Sequence, residues 1–532
     1  MPAAPSRPPA LSPEAMVAAN HPAVSAAGLA ALAAGGNAVD ATLAMAAISW
    51  LVLPGQCGIG GDAFAVVREP DGRIWCVGAS GFGPDGGTVA HYRGLGLDAL
   101  PLSGALAVAV PGAMSALAAL HAAGATRPLE DLWEPAARAA ERGICCSAKT
   151  RADIAAHEPR LVADSGTAAV FLPRGLVPRV GQRLTYPDLA RSIRLLGRDP
   201  GGMYHGEIAE RAVAALRALG APFSGAEWAA ADQAPVTPAI SHPYGPLVIH
   251  ETPPPSPGWM LLQQAALCDG RLPDLPWLGA DAVGLLAGAA RQAFRDRWER
   301  CGSDSSAWRE LLEPQQVAAA RARLSRLDLT PSGVGGDGDT TSTVVVDSDR
   351  RAVSFIQSLA LTFGAHITVP GTGIVLNNRL GRGAYLVEGH PNAVQPRRRP
   401  LHTLNAWIAT DGQQRLAHAG NTPGGDGQVQ WNMQLVSHLV DHGLDPQAAV
   451  SAPRFSVYPG SDADTIGAPD ELRCESRLGD RVLSELAAHG HRIRRLGPWD
   501  AGGGALVVSA DHAHGALVGG VDPRQEGVAL GA

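Results

Sequence analysis

The chain has 532 residues, 46% of them hydrophobic and 17% charged, a balance that builds a core and excludes an intrinsically disordered chain; with only 5% aromatic residues, that core must rest on Ala, Val and Leu. Its 43 basic and 50 acidic residues give a formal net charge of −7, and the basic triplet Arg397, Arg398, Arg399 is too short to be a footprint for nucleic acid or an anionic membrane. Seven cysteines without a CxxC pair argue against a disulfide framework or a zinc site, so reduced thiols and no metal are expected.

Residues 1–16, MPAAPSRPPALSPEAM, carry prolines where an export signal needs an apolar stretch, and a cytoplasmic protein is expected. The small-residue run 24–52 is interrupted at Gly35, Gly36, Asn37 and Asp40, which predicts two helices joined by a glycine turn rather than a membrane span. DAFAVVRE and GRIWCVGAS predict two strands around a Pro-Asp-Gly turn. Gly58, Gly60 and Gly61 could cradle a phosphate, but no GKS or GxGxxG pattern with its helix follows. From about 105 to 310 the apolar residues fall at helical spacing, as in DLWEPAARAAERG, LARSIRLLG, IAERAVAALRALG and LLAGAARQAFRDRWERCG. One segment there, PLVIHETPPPSPGWMLLQQAAL, reads as extended because its prolines oppose both helix and central strand. Residues 327–339, LDLTPSGVGGDGD, have no periodicity and read as an exposed linker. The pattern then turns to strand, with TTSTVVVD and AVSFIQSL forming a hairpin around the turn 348–351.

Hydrolysis of an acyl bond needs a nucleophile, a base and an oxyanion site. The sequence has no GxSxG elbow, no HExxH and no cysteine-nucleophile signature. What remains is a threonine opening a strand after a linker. A threonine hydroxyl becomes an effective nucleophile when its own α-amine is the base. Such an amine titrates at about 7.7–8.0, and it exists only if the chain is cut directly before the threonine. Thr340 and Thr341 both stand at that junction, and a glycine-flanked threonine strand of purely structural role has the same pattern.

Nine blocks, in order, extend the pattern to a family. HPAVSAAGLAALAAGGNAVDA, PGQCGIGGDAF, TPPPSPG, TTSTVVVDSDRRAVSF, PGTGIVLNN, RRPLHTLN, GNTPGGDGQ, APRF and GGVDPR, from His21 to Arg524, resemble the signature segments of the γ-glutamyltranspeptidases, a family of N-terminal-nucleophile hydrolases. The resemblance implies an α+β four-layered αββα sandwich, made as a precursor that cuts itself between Asp339 and Thr340. It implies a large subunit 1–339, ending in the linker 327–339, and a small subunit 340–532, which stay associated. Counting back from Val345, Val346 and Asp347 aligns the family's nucleophile with Thr340. Ser358 matches a family threonine whose hydroxyl bonds the nucleophile, and Gly424 and Gly425 match the paired glycines of the oxyanion hole. No cofactor is implied, and the partner is a small-molecule substrate, with neither nucleic acid nor membrane.

Three departures bear on the substrate. Ser80, in ASGFGPDGG, stands where the family carries an arginine for the substrate α-carboxylate. LNNRLGRGAYL offers Arg379 and Arg382 where the family places an acid for the substrate ammonium. RPLHTLN places His402 and Thr403 where the family has two serines. Arginine pairs well with carboxylate and repels ammonium. The pattern is similar to the oxamate amidohydrolase branch, with Arg379 expected to hold a substrate carboxylate and His402 to line the pocket. Family members that cleave a carbon–carbon bond and release an oxalyl-type fragment in antibiotic (alkylproline) pathways resemble this chain in losing the glutamate-binding residues. A genuine γ-glutamyl hydrolase and an inactive family member complete the alternatives. For Arg379 and Arg382 the alternative is a solvated loop pair; for His402, a packed core histidine.

Overall fold

The computed structural model describes residues 7–324, 340–460 and 468–532; the proposed linker 327–339 and Asp339 lie outside them. Two seven-stranded antiparallel sheets face each other. The first runs Val528–Gly531, Met16–Ala19, Thr341–Val346, Ala352–Ser358, Asp62–Arg68, Ile74–Ala79, Val236–Pro238. The second runs Ala10–Ser12, Ala516–Val521, Leu506–Asp511, Leu416–Asn421, Trp407–Thr410, Leu247–Glu251, Ile240–Tyr244.

The period of two along each strand sorts the side chains into layers. Val67, Val345 and Val353 point outward into a core shared with the helices Pro22–Ala33 and Ala38–Val52. Phe64, Val344 and Ile356 point inward and meet Leu404, Ile408 and Val508 from the second sheet. Trp407, Ala409 and Val507 face a third core under the helices Gly258–Cys268, Ala280–Glu299 and Gly427–Val440. The result is the four-layered αββα sandwich of the N-terminal-nucleophile hydrolases, and one polar link crosses its middle. Ser354 Oγ donates to the Gly420 carbonyl at 2.8 Å and accepts from Asn421 Nδ2 at 3.3 Å.

The two N-terminal helices form as read: Gly35 turns the chain at φ +85, and Asn37 and Asp40 close a capping box on the second helix. The threonine hairpin also forms, its turn closed by Asp347 Oδ1 accepting from the N–H groups of Asp349 and Arg351. Its first strand is central, flanked by Met16–Ala19 and Ala352–Ser358. The segment read as extended is corrected. Leu247–Glu251 is an interior strand, and the chain beyond the prolines is the helix Gly258–Cys268, buried along its whole length. A helix buried on every face has no amphipathic period to betray it. The strand Ile240–Tyr244 was also absent from the sequence reading; it lies at the sheet edge, the place that tolerates Pro243. No helix among the described residues is long and apolar enough to cross a membrane.

Candidate active site

Strand register draws one row of residues across an end of the first sheet. Thr341 pairs with Gln357, which sets Thr340 opposite Ser358. Ser358 pairs with Asp62, and Ala63 with Ala79, which sets Asp62 opposite Ser80. Thr340, Ser358, Asp62 and Ser80 share the inward parity of Val344, Ile356 and Phe64, so all four face the space between the sheets. All four are buried.

At one end of the row the Thr340 hydroxyl donates to Ser358 Oγ at 3.1 Å. Ser358 Oγ also accepts from the Ala360 N–H at 2.9 Å, while the Ala360 carbonyl accepts from Arg382 Nη1 at 2.8 Å. Ala360 adopts φ +86, a conformation that costs a non-glycine residue strain and persists only where its surroundings impose it. In the amide orientation that satisfies its neighbours, Gln56 donates to the Thr340 carbonyl at 3.3 Å and accepts from Lys149 Nζ at 3.2 Å. Asn20 fixes the strand just beyond: its Oδ1 accepts from the Ser342 N–H at 2.9 Å and its Nδ2 donates to the Gly504 carbonyl at 2.8 Å.

In the middle of the row Asp62 gathers two of the expected residues. Its Oδ2 accepts from Arg379 Nε at 3.0 Å and from His402 Nε2 at 3.1 Å, with all three side chains fully buried. His402 Nδ1 accepts from the Leu404 N–H at 3.1 Å, so the ring proton is on Nε2. Burial, reinforced by the Arg379 charge, pushes the His402 pKa down to about 3, and the ring is neutral at pH 7. Burial works to raise the Asp62 carboxyl, but His402 and Arg379 outweigh it and hold Asp62 below its ordinary value, ionised. Arg379 and Arg382 form the short helix Arg379–Gly383 inside the protein, and the solvated-loop alternative falls. Thr403 is buried beside His402, and neither Thr403 Oγ1 nor Ser80 Oγ has a hydrogen-bond partner among the described residues.

The second sheet supplies the glycine turn. After Leu416–Asn421 the chain passes Gly424 at φ +128 and Gly425 at φ +56, then enters the helix Gly427–Val440. A Cβ on Gly424 would lie 2.4 Å from the Trp431 ring. The carbonyls of both glycines accept from Gly427 and Gln428, while their own N–H groups meet no acceptor among the described residues. Arg297 clamps this turn to the His402 segment: it pairs with Asp426 at 3.1 Å and donates to the His402 carbonyl. Gly60 and Gly61 serve packing instead of a phosphate. A Cβ on Gly61 would lie 2.3 Å from the Ser358 carbonyl oxygen, and one on Gly60 2.1 Å from that of Val375.

Residues 24–532 match the profile of the gamma-glutamyltranspeptidase family. The chain belongs to this family. Among its relatives, an oxamate amidohydrolase proenzyme of Klebsiella pneumoniae is 31% identical over 98% of this chain and 99% of its own length. The glutathione hydrolase-like YwrD proenzyme of Bacillus subtilis is 31% identical over 97% and 98%. Among solved structures, a cephalosporin acylase from Bacillus halodurans superposes with a TM-score of 0.90 at 28% identity, over 100% of this chain and 98% of that one. Within the family, relatives of different substrate thus share the whole length of this chain. Residues that tie this cluster together and carry no reading from the sequence are Asp62, Asn20, Gln56 and Arg297. Only Asp62 left a signal, a charge opening an otherwise apolar strand in GGDAF.

Proposed function

We propose that this gamma-glutamyltranspeptidase-family protein cuts itself before Thr340 and then hydrolyses an acyl bond through an acyl-Thr340 intermediate. The observation that carries the reading is the 3.1 Å hydrogen bond from the Thr340 hydroxyl to Ser358 at the head of a central strand. In maturation, Thr340 Oγ1 attacks the Asp339 carbonyl, the amide becomes an ester, and water releases the acid of Asp339 and the free α-amine of Thr340. In turnover that amine takes the hydroxyl proton as Oγ1 attacks the substrate carbonyl. The N–H groups of Gly424 and Gly425 stabilise the oxyanion, the leaving amine departs protonated, and water frees the acid. The mature protein is then two associated pieces, 1–339 and 340–532.

The substrate is a small acyl compound that bears a carboxylate and no glutamyl ammonium. Arg379 and Arg382 set two positive charges against the single negative charge of Asp62, which leaves a net positive field, with the hydroxyls of Ser80 and Thr403 beside the neutral His402. Oxamate-like amides suit that field better than glutathione. A panel of oxamate, glutathione, a glutaryl amide and an oxalyl ketone on the mature protein tests this. Carboxylate-bearing acyl amides are expected to turn over ahead of glutathione; saturable, preferred turnover of glutathione would overturn the reading, and turnover of the ketone alone would move it to carbon–carbon cleavage.

A further inference from the structure

We propose that Lys149 is a positioning residue for Thr340: acting through Gln56, it fixes the Thr340 carbonyl and so aims the Thr340 hydroxyl, first at the bond to Asp339 and then at the substrate. This deepens the acyl-Thr340 reading and rests on it. Of the 43 basic residues in the chain, Lys149 alone is a lysine. It stands in the first turn of the helix Ala148–Leu161, which is capped by Ser147. A cation there opposes the helix dipole. Its partner Asp153 follows it by four residues, the less favourable order for an ion pair on a helix. A charge placed against both local preferences points to a role outside its own helix.

Gln56 is what it meets there. Lys149 Nζ donates to Asp153 Oδ1 at 3.1 Å, to Asp153 Oδ2 at 3.0 Å and to Gln56 Oε1 at 3.2 Å, and Gln56 Nε2 donates in turn to the Thr340 carbonyl at 3.3 Å. The opposite amide orientation would set the Gln56 oxygen against the Thr340 oxygen and its NH2 against the ammonium, so Lys149 decides which way the buried amide faces. The same ammonium polarises that amide and strengthens the bond it makes. The backbone of this segment serves the other hydroxyl. The Gln56 carbonyl accepts from the Leu359 N–H at 3.0 Å, and the Gly55 carbonyl from the Phe363 N–H at 2.8 Å. Gln56 thus joins Thr340 to the turn that follows Ser358 and holds the strained Ala360. The helix of Lys149 is docked on the same stretch, where Thr150 Oγ1 donates to the Val52 carbonyl at 3.4 Å. Once the chain is cut, Thr340 has no residue before it to hold it in place. Its hydroxyl then depends on Ser358 and its carbonyl on Gln56, and an attacking oxygen misplaced by about 1 Å can cost about 100-fold in rate.

The test follows the cut itself, which needs no substrate. Full-length chains are pulse-labelled during cell-free synthesis, and the half-time for release of the piece beginning at Thr340 is read by denaturing electrophoresis. Lys149→Met and Gln56→Leu are each expected to lengthen it about 10-fold, and the double variant to be no more than about threefold slower than the slower single one. Lys149→Arg, which keeps the charge, is expected to cut at least about threefold faster than Lys149→Met. A wild-type half-time in Lys149→Met, losses that multiply in the double variant, or a Lys149→Arg chain no faster than Lys149→Met would each overturn the assignment. Melting of the same chains carrying Thr340→Ala, which are not cut, separates positioning from stability. Lys149→Met is expected to shift Tm by less than about 3 °C, and a larger fall would make Lys149 a structural residue and overturn the proposal. If the wild-type chain is never cut before Thr340, the acyl-Thr340 reading itself has failed rather than the role of Lys149.

Discussion

The two ends of the row across the first sheet are built on opposite principles. At the Thr340–Ser358 end the facing groups are uncharged hydroxyls: Ser358 is set by the Ala360 N–H, and the strand beyond by the Asn20 side chain. Toward Ser80 the groups are charged and brought in from distant segments. Arg379 and His402 converge on Asp62, and Arg399 docks on the Ser80 carbonyl. By the resemblance, the first end carries the positions of the family's nucleophile and its hydroxyl partner, and the second carries Ser80, Arg379 and His402, where this sequence departs from the family. On the function proposed above, the Thr340 end would break the bond and the charged end would select the acyl group.

The largest expected effect lies at the first end. Thr340→Ala should leave the chain uncut and abolish turnover, read by denaturing electrophoresis; cleavage at the same bond would show that the nucleophile is misassigned. At the second end the expected cost is in stability. Asp62→Ala leaves the Arg379 guanidinium buried beside a neutral histidine, and denaturant unfolding should lose about 3–5 kcal/mol. A loss under 1 kcal/mol would mean that the pair is not as buried as described. Gly424→Ala should lower kcat about 100-fold, since the new Cβ collides with Trp431 and displaces the turn. Near-normal kcat would remove that turn from the oxyanion site. Ser358→Ala should cost less, about tenfold in kcat, because one neutral hydrogen bond to the nucleophile is removed.

The smallest effect is in pH. His402 stays neutral in the fold down to about 3, whereas in the unfolded chain it takes up a proton near 6.5. The unfolded state therefore binds more protons over that interval, and stability is lost as pH falls from 6.5 toward 3. Asp62, held below its ordinary value, adds to the loss at the acid end of the window. Replacing His402 by Gln should flatten this slope in unfolding measurements between pH 6.5 and 5; an unchanged slope would mean that other buried histidines, such as His438, carry it.

The two ends are unequally legible in the sequence. The hairpin opening at Thr340 was legible because two runs rich in β-branched and apolar residues flank the turn residues 348–351, and the glycines of GNTPGGDGQ were legible through resemblance. Asp62 was not, because its partners Arg379 and His402 lie 317 and 340 residues away, and no local spacing encodes such a pairing. Arg399 was hidden in a triplet whose members look alike in sequence and differ only in what surrounds them. The helix Gly258–Cys268 escaped because burial on all sides erases the helical period, and the edge strand Ile240–Tyr244 because its proline reads as a breaker.

The claim on which the rest depends is that Thr340 carries the acyl group. Intact-mass and peptide mapping of the mature protein, quenched during turnover of a slow carboxylate-bearing ester, tests it directly. The account predicts a 193-residue piece beginning at Thr340, with the acyl mass on its first residue. An adduct on any other residue, or steady turnover by a chain still joined to Asp339, would contradict it.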